Sequence, residues 1–413
     1  MQISIVMPTL NQANFIDASL SSIFDQSVPD VEVIVIDGLS KDGTIDILKK
    51  WQVKHPEQFK WISQKDSGPA EAINRGLKLA QGEIIGWLNS DDLYLAQTFT
   101  KVIDYFKKHP SKHMVYGEGN HIDEVGRAID RYPTKKPDTP IEQFLEGCFI
   151  CQPTVFFHAS LLQTIGVLDE SLKVAFDFDW WIRFFKLIPE NIGFLNDTLA
   201  SSRLHENCLT QKERRLVAFE GMKVLKRHFD HAPVTWALTF IDELCNAYPS
   251  ITDERSLVKI IESFLTDIKP FLLSSELDTL IKQLQGDKRL ILSHQNFYID
   301  VSPDGWVSKK TELRLRDLSH IGQTSIQLDL AGGWPHAHTI SLTILNPLGE
   351  SFKASFNSQT SAKLTLKVPK NLNKNSTAWI IETNDYFKPS AFDKNNHDDR
   401  ELSFVVKSIK LID

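Results

Sequence analysis

The strongest constraint on the fold of this chain is the alternation of short β-branched runs with polar turns and helical spacing near its start. The runs Ile3–Met7 and Val31–Ile36 are typical of strands buried on both faces of a sheet. Further strands are predicted at Phe59–Ser63 and Glu83–Leu88, and a helix at 69–80, which Pro69 opens at a favourable first-turn position. Repeated β-α-β units predict an α/β domain with a doubly wound, mostly parallel sheet.

The rest of the 413 residues is too long for a single core, and its pattern changes twice. Apolar residues recur at helical spacing from about 210 to 285, and after 290 they alternate with polar residues. We therefore predict segments 1–209 (α/β), 210–289 (helical) and 290–413 (antiparallel β-sandwich). The motifs beginning at Thr139 and Thr210 are typical of capping boxes that start helices.

Charge and cysteine content exclude several classes of protein. The net charge of −7 argues against a nucleic-acid partner, and four cysteines fit a reducing compartment rather than a disulfide scaffold. No targeting segment is recognised, and the stretch 147–168 lacks charge but contains polar residues that a membrane span would exclude. We expect it to be buried core in a cytoplasmic protein. Cys148 and Cys151 have CxxC spacing but read as two small buried residues rather than a zinc half-site.

Carboxylates cluster where the predicted strands end. Asp91 and Asp92 follow the fourth strand, Asp37 follows the second, and Asp66 precedes a helix. Adjacent carboxylates repel each other and therefore favour binding of a hard divalent cation. Phosphate oxygens and water would fill the remaining coordination positions of that cation. A helix cap is the alternative for Asp91 or Asp92. Because ligands of doubly wound sheets bind at the carboxyl ends of the strands, this edge is the predicted site.

Four blocks in this order resemble the family 2 glycosyltransferases with the GT-A fold. They are Ile3–Gln12, Val35–Thr44, the stretch Asp66–Gly68 with Ala72–Glu83, and Gly86–Asp92. Each block alone is weak evidence, but their order and spacing make the resemblance specific. The resemblance implies an inverting transferase that uses a nucleotide-diphosphate sugar, expected to be a UDP-sugar, with Mn²⁺ or Mg²⁺.

The resemblance also implies roles on the donor side. Pro8, Thr9, Asn11 and Asp37 would hold the nucleoside, with Asp66 and Asn74 nearby. Asp91 would ligate the metal, and Asp92 is a rival for that position. The sequence departs from the family at Asn89, where many members have another aspartate, and this weakens the expectation of strict metal dependence.

The stretch Gly166–Glu170 with Phe176–Arg183 resembles the acceptor-side motif of the same family, and a later stretch resembles its last catalytic segment. Asp177 matches the general base, which an attacking hydroxyl requires. Gln152, Asp179 and Trp180 would lie on the acceptor side, although a structural role for Asp179 is favoured. In Ser202–Asn207, His205 would be a third metal ligand and Arg203 a diphosphate contact; a surface position for His205 is equally open.

The tail, with Phe387–Pro389 and Asp398–Leu402, resembles one found after some bacterial polysaccharide glycosyltransferases. The aromatic residues of this region would either stack on sugar rings or form core, and a scaffold role for the region is at least as well supported. These residues are Trp306, Trp334, Trp379, Tyr386 and Phe387. The expected acceptor is a saccharide, lipid-linked or soluble, and peripheral membrane contact and oligomeric state stay open. A nucleotidyltransferase and a non-catalytic sugar-binding protein are the rival functions.

Overall fold

The structure is a computed structural model that describes residues 2–26, 28, 30–247, 257–292, 297–315, 325–370, 372, 377–393 and 396–412. The chain divides into two compact units, Met1–Trp236 and Ala237–Asp413. This division differs from the three predicted segments. The predicted helical segment 210–289 does not form a unit of its own, because its first helices belong to the first unit and its last ones to the second.

The first unit contains one mixed sheet with helices. Its strands are β1 (Ile3–Thr9), β2 (Val31–Asp37), β3 (Phe59–Ser63), β4 (Ile84–Trp87), β5 (Leu93–Tyr94), β6 (Met114–Ile122), β7 (Ala128–Arg131), β8 (Phe156–His158) and β9 (Ile192–Arg203). Its helices are α1 (Ile16–Phe24), α2 (Thr44–Lys54), α3 (Pro69–Leu79), α4 (Thr98–Lys108), α5 (Leu161–Ile165), α6 (Phe176–Leu187), α7 (Leu209–Lys212) and α8 (Arg214–Phe229).

The N-terminal half of this sheet confirms the predicted parallel β-α-β arrangement. The strand order begins β3-β2-β1-β4, and each of these neighbours pairs in parallel. Every residue of β1 and β2 is buried, including Ser4 and Glu32, as the largely apolar, β-branched runs predict. Thr9 pairs with Asp37, and Asp37 pairs with Ser63, so the carboxyl ends of three strands meet at one edge.

The other half of the sheet is mixed. β8 is antiparallel to β4 and β6, whereas β6 and β9 are parallel. β5 pairs with β9, with Leu93 opposite Ser201. This pairing brings the segment after β4, which contains Asp91 and Asp92, beside the end of β9 at Arg203.

Residues 147–168 lie within the first unit, as expected for core. They include β8, whose Phe156 and Phe157 are fully buried, and the short helix α5. In the described part of the chain, no helix has the length and apolarity needed to cross a membrane. All four cysteines are free thiols, with Cys151 buried and Cys148 half-buried.

Neither predicted capping box starts a helix. The segment after Thr139 forms a 3-10 helix, Ile141–Leu145, whose N-cap position is Pro140 and which has no side-chain cap. Thr210 lies inside α7, which begins one residue earlier and has Cys208 at its N-cap. A capping box needs the hydroxyl residue at the N-cap itself, so a shift of a residue or two removes its function.

The second unit contains two antiparallel sheets and helices. The later helices are α9 (Val234–Ala247), α10 (Leu257–Ile268), α11 (Ser274–Gly286) and α12 (Lys288–Leu292); residues 248–256 of the predicted helical segment lie outside the described residues. The strands are β10 (Phe297–Ile299), β11 (Trp306–Val307), β12 (Lys310–Leu315), β13 (Ser325–Ala331), β14 (Thr339–Leu345), β15 (Ser351–Asn357), β16 (Ser361–Lys367), β17 (Ala378–Glu382) and β18 (Phe404–Ile412).

The predicted β-sandwich is confirmed by the packing of these sheets. Their orders are β10-β12-β17-β14-β15 and β11-β18-β13-β16. Alternate residues of β13 and β14 are buried, and residues of both sheets, such as Leu328 and Ile340, share one hydrophobic cluster. Trp379 and Trp334 are buried in this core, so they are not exposed for stacking on a sugar; Tyr386 is exposed.

Candidate active site

The loops that follow β1 and β2 are joined by hydrogen bonds. The buried carboxylate of Asp37 accepts hydrogen bonds from the Ser40 backbone N–H (3.1 Å) and the Ser63 hydroxyl (2.6 Å). Asn11 has a left-handed backbone with φ of 54°. Its N–H donates to Ser40 Oγ (2.7 Å), and its Oδ1 accepts from the Lys41 N–H (2.8 Å). Asp37 and Asn11 therefore build the rim of the candidate nucleoside site.

A second carboxylate lies against this rim. Gly38 leaves room for Asp66, because a Cβ added at 38 would lie 3.0 Å from Asp66 Oδ2. Asp66 Oδ1 accepts a hydrogen bond from the Gly68 N–H (3.0 Å). Burial raises the pKa of Asp66 above its ordinary value. Nearby on β1, Pro8 is buried, and the buried Thr9 Oγ1 has no hydrogen-bond partner among the described residues.

The predicted metal site contains a carboxylate–imidazole pair. His205 Nε2 lies 3.0 Å from Asp91 Oδ2, and the His205 ring packs against Phe15 with 4.7 Å between ring centroids. Asp91 retains partial exposure, whereas the imidazole is almost completely buried. His205 is therefore part of the site and not a surface residue.

Asp92, next to Asp91 in the chain, is buried and hydrogen-bonded within the protein. It is 3 % exposed, and its carboxylate accepts hydrogen bonds from the Arg203 N–H (2.8 Å) and Asn89 Nδ2 (3.2 Å). Burial, with the Asp91 charge adding to it, raises the pKa of Asp92 well above its ordinary value. Asp92 as a metal ligand stays a prediction, and the Arg203 N–H and Asn89 Nδ2 already donate to its two oxygens.

Asn89 has a structural role that an aspartate could not fill. Its Nδ2 donates to Gln152 Oε1 (3.0 Å) as well as to Asp92, and its Oδ1 accepts from Trp87 Nε1 (2.9 Å). Gln152 Nε2 in turn donates to the Trp87 carbonyl (2.7 Å). The predicted acceptor-side residue Gln152 is thus held beside the aspartate motif, and the departure at position 89 has a reason in hydrogen bonding.

Arg203 is buried beside the metal pair and binds nearby backbone carbonyls. It is 6 % exposed, and its guanidinium donates to the backbone carbonyls of Asp91 (2.8 Å), Asp123 (3.0 Å) and Glu124 (3.0 Å). The guanidinium carbon also lies 5.2 Å from the Phe15 ring centroid. The diphosphate contact of Arg203 stays a prediction; the hydrogen bonds of its Nε and Nη1 go to backbone carbonyls, one of which belongs to Asp91.

Asn74 is another predicted donor contact that the structure assigns to a positioning role. It is 1 % exposed, and its Nδ2 donates to the Leu168 carbonyl (2.9 Å) and to Glu170 Oε1 (2.9 Å). Its Oδ1 accepts from the Leu168 N–H (3.0 Å). The amide therefore has no remaining hydrogen for a nucleotide, and it fixes the segment that leads to α6.

Asp177, the predicted base, lies in the first turn of α6. Its Oδ1 accepts a hydrogen bond from the Phe178 N–H (2.7 Å), and no ion pair among the described residues includes it. Burial raises the pKa of Asp177 to about 6. Burial, with the Asp177 charge adding to it, raises the pKa of the Cys148 thiol to about 12, which places Cys148 near this carboxylate.

Asp179 and Trp180, which were predicted on the acceptor side, form hydrogen bonds within the protein. Asp179 is buried and accepts from Arg183 Nε (3.0 Å), Arg227 Nη1 (3.0 Å) and His228 Nε2 (2.9 Å). Burial alone would raise the pKa of Asp179, but the His228 hydrogen bond and the arginine charges hold it below its ordinary value. Trp180 is 0 % exposed and donates to the Gly166 carbonyl (3.0 Å). Both residues fasten α6 to its neighbours.

The donor set can accommodate a divalent ion through two side chains. In the part of the chain that the structure describes, no group of three or more His, Cys, Asp or Glu side chains is arranged to hold a metal. Asp91 and His205 nevertheless offer one carboxylate and one imidazole that face each other. Mg²⁺ and Mn²⁺ are often held by one or two protein ligands together with phosphate oxygens and water, so this pair fits such an ion.

Sequence reasoning missed Glu220 of α8. This residue is 4 % exposed and accepts hydrogen bonds from the backbone N–H groups of Lys173, Val174 and Ala175, which precede α6. The only signal in the sequence is a lone carboxylate between Phe219 and Met222 in an amphipathic helix. A pattern of this kind does not indicate which backbone groups the carboxylate would meet.

Comparison with known proteins identifies the family of this chain. The model of the family described as "Glycosyl transferase family 2" matches residues 4–166. A PGL/p-HBAD biosynthesis glycosyltransferase of Mycobacterium tuberculosis is 33% identical over 186 residues, which cover 44% of this chain and 69% of that protein. The chain belongs to the family 2 glycosyltransferases, and its mixed sheet with a curled parallel half is the GT-A type.

Other similarities extend further along the chain. An uncharacterized glycosyltransferase of Rickettsia conorii is 26% identical over 357 residues, covering 75% of this chain and 54% of that protein. The chain thus spans about half the length of the curated relatives it matches over this range. Among solved structures, S. aureus TarS 1-349 in complex with UDP has a TM-score of 0.48 and 20% identity, and covers 69% of this chain and 85% of that chain.

Proposed function

We propose that this protein is an inverting glycosyltransferase that moves a sugar from a nucleotide-diphosphate donor, a UDP-sugar, to a hydroxyl of a saccharide acceptor. The observation that carries the proposal is Asp177, a half-buried carboxylate with no cationic partner among the described residues, whose pKa is raised by desolvation to about 6. Membership of the family supports the reaction class. The bacterial character of the tail motif supports a role in surface-polysaccharide synthesis at the cytoplasmic face of the membrane.

In the proposed reaction, Asp177 is the general base. The acceptor oxygen forms a bond to the anomeric carbon, and the bond from that carbon to the diphosphate oxygen breaks. The acceptor proton passes to the Asp177 carboxylate, and the electron pair of the broken bond leaves with the nucleoside diphosphate. A carboxylate with a pKa near 6 is largely ionised at neutral pH and is a better base than an exposed aspartate.

Asp37, Asp66 and the β1 loop are proposed to hold the nucleoside. No donor within the described residues reaches Asp66 Oδ2, so this oxygen is available to accept an N–H of a base or a ribose hydroxyl. The buried hydroxyl of Thr9 is a second group without a protein partner. Pro8 and Asn11 shape the same loop. Asp37 holds the neighbouring loop, which follows β2, by accepting the Ser40 N–H.

Asp91 and His205 are proposed to hold Mn²⁺ or Mg²⁺ on the donor diphosphate. When bound, the ion neutralises negative charge that grows on the leaving group. Arg203 keeps Asp91 in place through its backbone carbonyl, and Phe15 restricts the orientation of the His205 ring. The set of two protein ligands replaces the expected set of three.

Calorimetric titration with UDP, in the presence and absence of Mn²⁺, tests the donor site. Wild type should bind UDP more tightly with Mn²⁺, and Asp91→Asn should lose this gain. Asp177→Asn should bind UDP as wild type does and should lose sugar transfer. UDP binding that depends neither on metal nor on Asp91 would contradict the metal assignment.

The released product separates the rival functions. A glycosyltransferase releases a nucleoside diphosphate, whereas a nucleotidyltransferase releases pyrophosphate. A panel of nucleotide sugars with saccharide acceptors, lipid-linked and soluble, should therefore yield UDP. Glycan binding without turnover of any donor in the panel would favour the non-catalytic alternative over the proposed function.

A further inference from the structure

The carboxylate of Glu220 accepts hydrogen bonds from the backbone directly before α6, the helix that carries Asp177. The Lys173 N–H lies 2.9 Å from both Glu220 oxygens. The N–H groups of Val174 (2.8 Å) and Ala175 (3.1 Å) donate to its Oε2. One side chain of α8 thereby satisfies the backbone N–H groups of three consecutive residues, and α6 begins directly after them at Phe176.

Burying the carboxylate of Glu220 costs free energy unless hydrogen bonds compensate its charge. Glu220 is buried, and no ion pair among the described residues includes it, so its charge is compensated by backbone dipoles alone. N–H groups that precede the first turn of a helix have no partner within that helix, and an anion near them is stabilised by the helix dipole. The arrangement fixes the path of residues 173–175 and hence the direction in which the next turn projects its side chains.

We infer that Glu220 is a positioning residue for Asp177. This inference rests on the proposed function, in which Asp177 is the base. Asp177 lies two residues beyond Ala175 and, among the described residues, has no ion pair with a cation that would hold its carboxylate in place. Its placement therefore depends on the backbone that Glu220 anchors. Glu220 and Asp177 both lie outside the stretch 4–166 that the family model matches.

The anchored segment also reaches the donor loop. Lys173 Nζ donates to the Ser67 carbonyl (2.7 Å), between Asp66 and Gly68. Gly68 has φ of +144°, and a Cβ there would lie 3.6 Å from Lys173 Cδ. Residues 173–175 therefore connect Glu220 with both the base and the donor loop. Through this connection, the position of the base is fixed relative to the loop that would hold the donor.

The test compares Glu220→Gln with Glu220→Asp and with Glu32→Gln as a matched control. Glutamine accepts through a single oxygen, so it cannot reproduce the hydrogen bonds made by both Glu220 oxygens. Aspartate retains the charge and both acceptors on a shorter stem. Glu32 is also a buried carboxylate, bonded to Ser4 Oγ (2.6 Å) and the Gln81 N–H (3.0 Å), but it lies near the opposite end of β2 from Asp37.

Glu220→Gln should lower kcat for sugar transfer by about 10- to 100-fold, because small displacements of a catalytic group have effects of this size. UDP affinity should stay within about threefold of wild type, since the donor contacts are made by other residues. Glu220→Asp should recover part of the loss. Glu32→Gln should leave kcat unchanged, even where its thermal midpoint falls as much as that of Glu220→Gln. A Glu220→Gln enzyme with wild-type kcat would overturn the inference.

A second readout does not depend on turnover. Amide hydrogen exchange at 173–178 should become faster in Glu220→Gln and stay unchanged in Glu32→Gln, with the rest of the first unit unaffected. Unchanged exchange at 173–178 would overturn the inference whatever the kinetics. If wild type transfers no sugar but this local release is seen, the proposed function fails while the anchoring by Glu220 stands.

Discussion

His205 Nε2 lies 3.0 Å from Asp91 Oδ2, although 114 residues separate the two in the chain. The contact exists because β5 pairs with β9, which brings the end of β9 beside the turn after β4. Phe15, at the start of α1, packs on the other side of the imidazole. Two distant segments therefore form the candidate metal pair, and a third supplies Phe15 against the imidazole.

The first prediction concerns this pair. His205→Asn should reduce the Mn²⁺-dependent gain in UDP affinity by about 10- to 100-fold, because losing a side chain that binds or orients a metal has effects of this order. The measurement is calorimetric titration with and without Mn²⁺. His338→Asn is the control, since His338 makes a similar contact with Asp385 (3.1 Å) in the second unit. An equal loss in both variants would indicate a general effect on folding.

The second prediction concerns the pH dependence of transfer. Asp177 is active as a base only when deprotonated, and burial raises the pKa of Asp177 to about 6. kcat/KM should therefore rise with pH through an apparent pKa near 6, and Asp177→Asn should lose about 10²- to 10⁴-fold in rate. Cys148→Ser should keep the same acid limb, because the pKa of this neighbouring thiol is raised to about 12. An acid limb that persists in Asp177→Asn would assign the titration to another group.

The third prediction concerns the stability of α6. Asp179→Asn leaves Arg183, Arg227 and His228 without their buried carboxylate, and should cost about 3–5 kcal/mol at pH 7. The pKa of Asp179 is lowered in the folded state, since the His228 hydrogen bond and the arginines outweigh burial. Its contribution is therefore present above the unfolded pKa and lost as pH falls through the folded one.

Urea unfolding at several pH values measures this difference. The gap in unfolding free energy between wild type and Asp179→Asn should narrow as the pH falls below about 4, the ordinary pKa of an aspartate. A gap that widens toward acid pH would show that the carboxylate is not stabilised by its cationic neighbours.

The fourth prediction concerns Asn89. Asn89→Asp removes the Nδ2 donor to Asp92 and Gln152 and places a second carboxylate against Asp92. The free energy of unfolding should fall by about 1–3 kcal/mol, the cost of leaving buried polar groups unpaired. Chemical denaturation of the metal-free protein measures it. Asn89→Asp with wild-type stability would mean that this network contributes little.

Much of the architecture could be predicted from local pattern. The apolar runs of β1 and β2, the helix opened by Pro69 and the alternation along β13 and β14 all appear as expected. The capping boxes failed because they depend on the exact residue at a helix start, which the local motif does not determine. The helical segment predicted at 210–289 is divided between the two units, and α8 lies in the first unit, where Glu220 contacts Ala175.

The candidate site divides in the same way. The types of side chain and their positions at strand ends follow from sequence, and so does the resemblance to family 2 glycosyltransferases. Their individual roles do not. Asp91 and Asp92 are neighbours in sequence, yet one faces His205 and the other accepts the Arg203 N–H in the interior. Successive residues of a turn point in different directions, so adjacency cannot decide which of them meets a ligand.

By itself, the sequence determined the order of the elements, the buried strands and the family, because these depend on hydrophobic period and on motifs read within a few residues. Only the tertiary structure decided that Asn74, Arg203 and Glu220 position other groups. Their hydrogen bonds cross 94, 112 and 45 residues of chain, respectively, to Leu168, Asp91 and Ala175. A polar side chain is a ligand contact or a brace according to its partners, and partners at such separations are chosen by the packing of the whole unit.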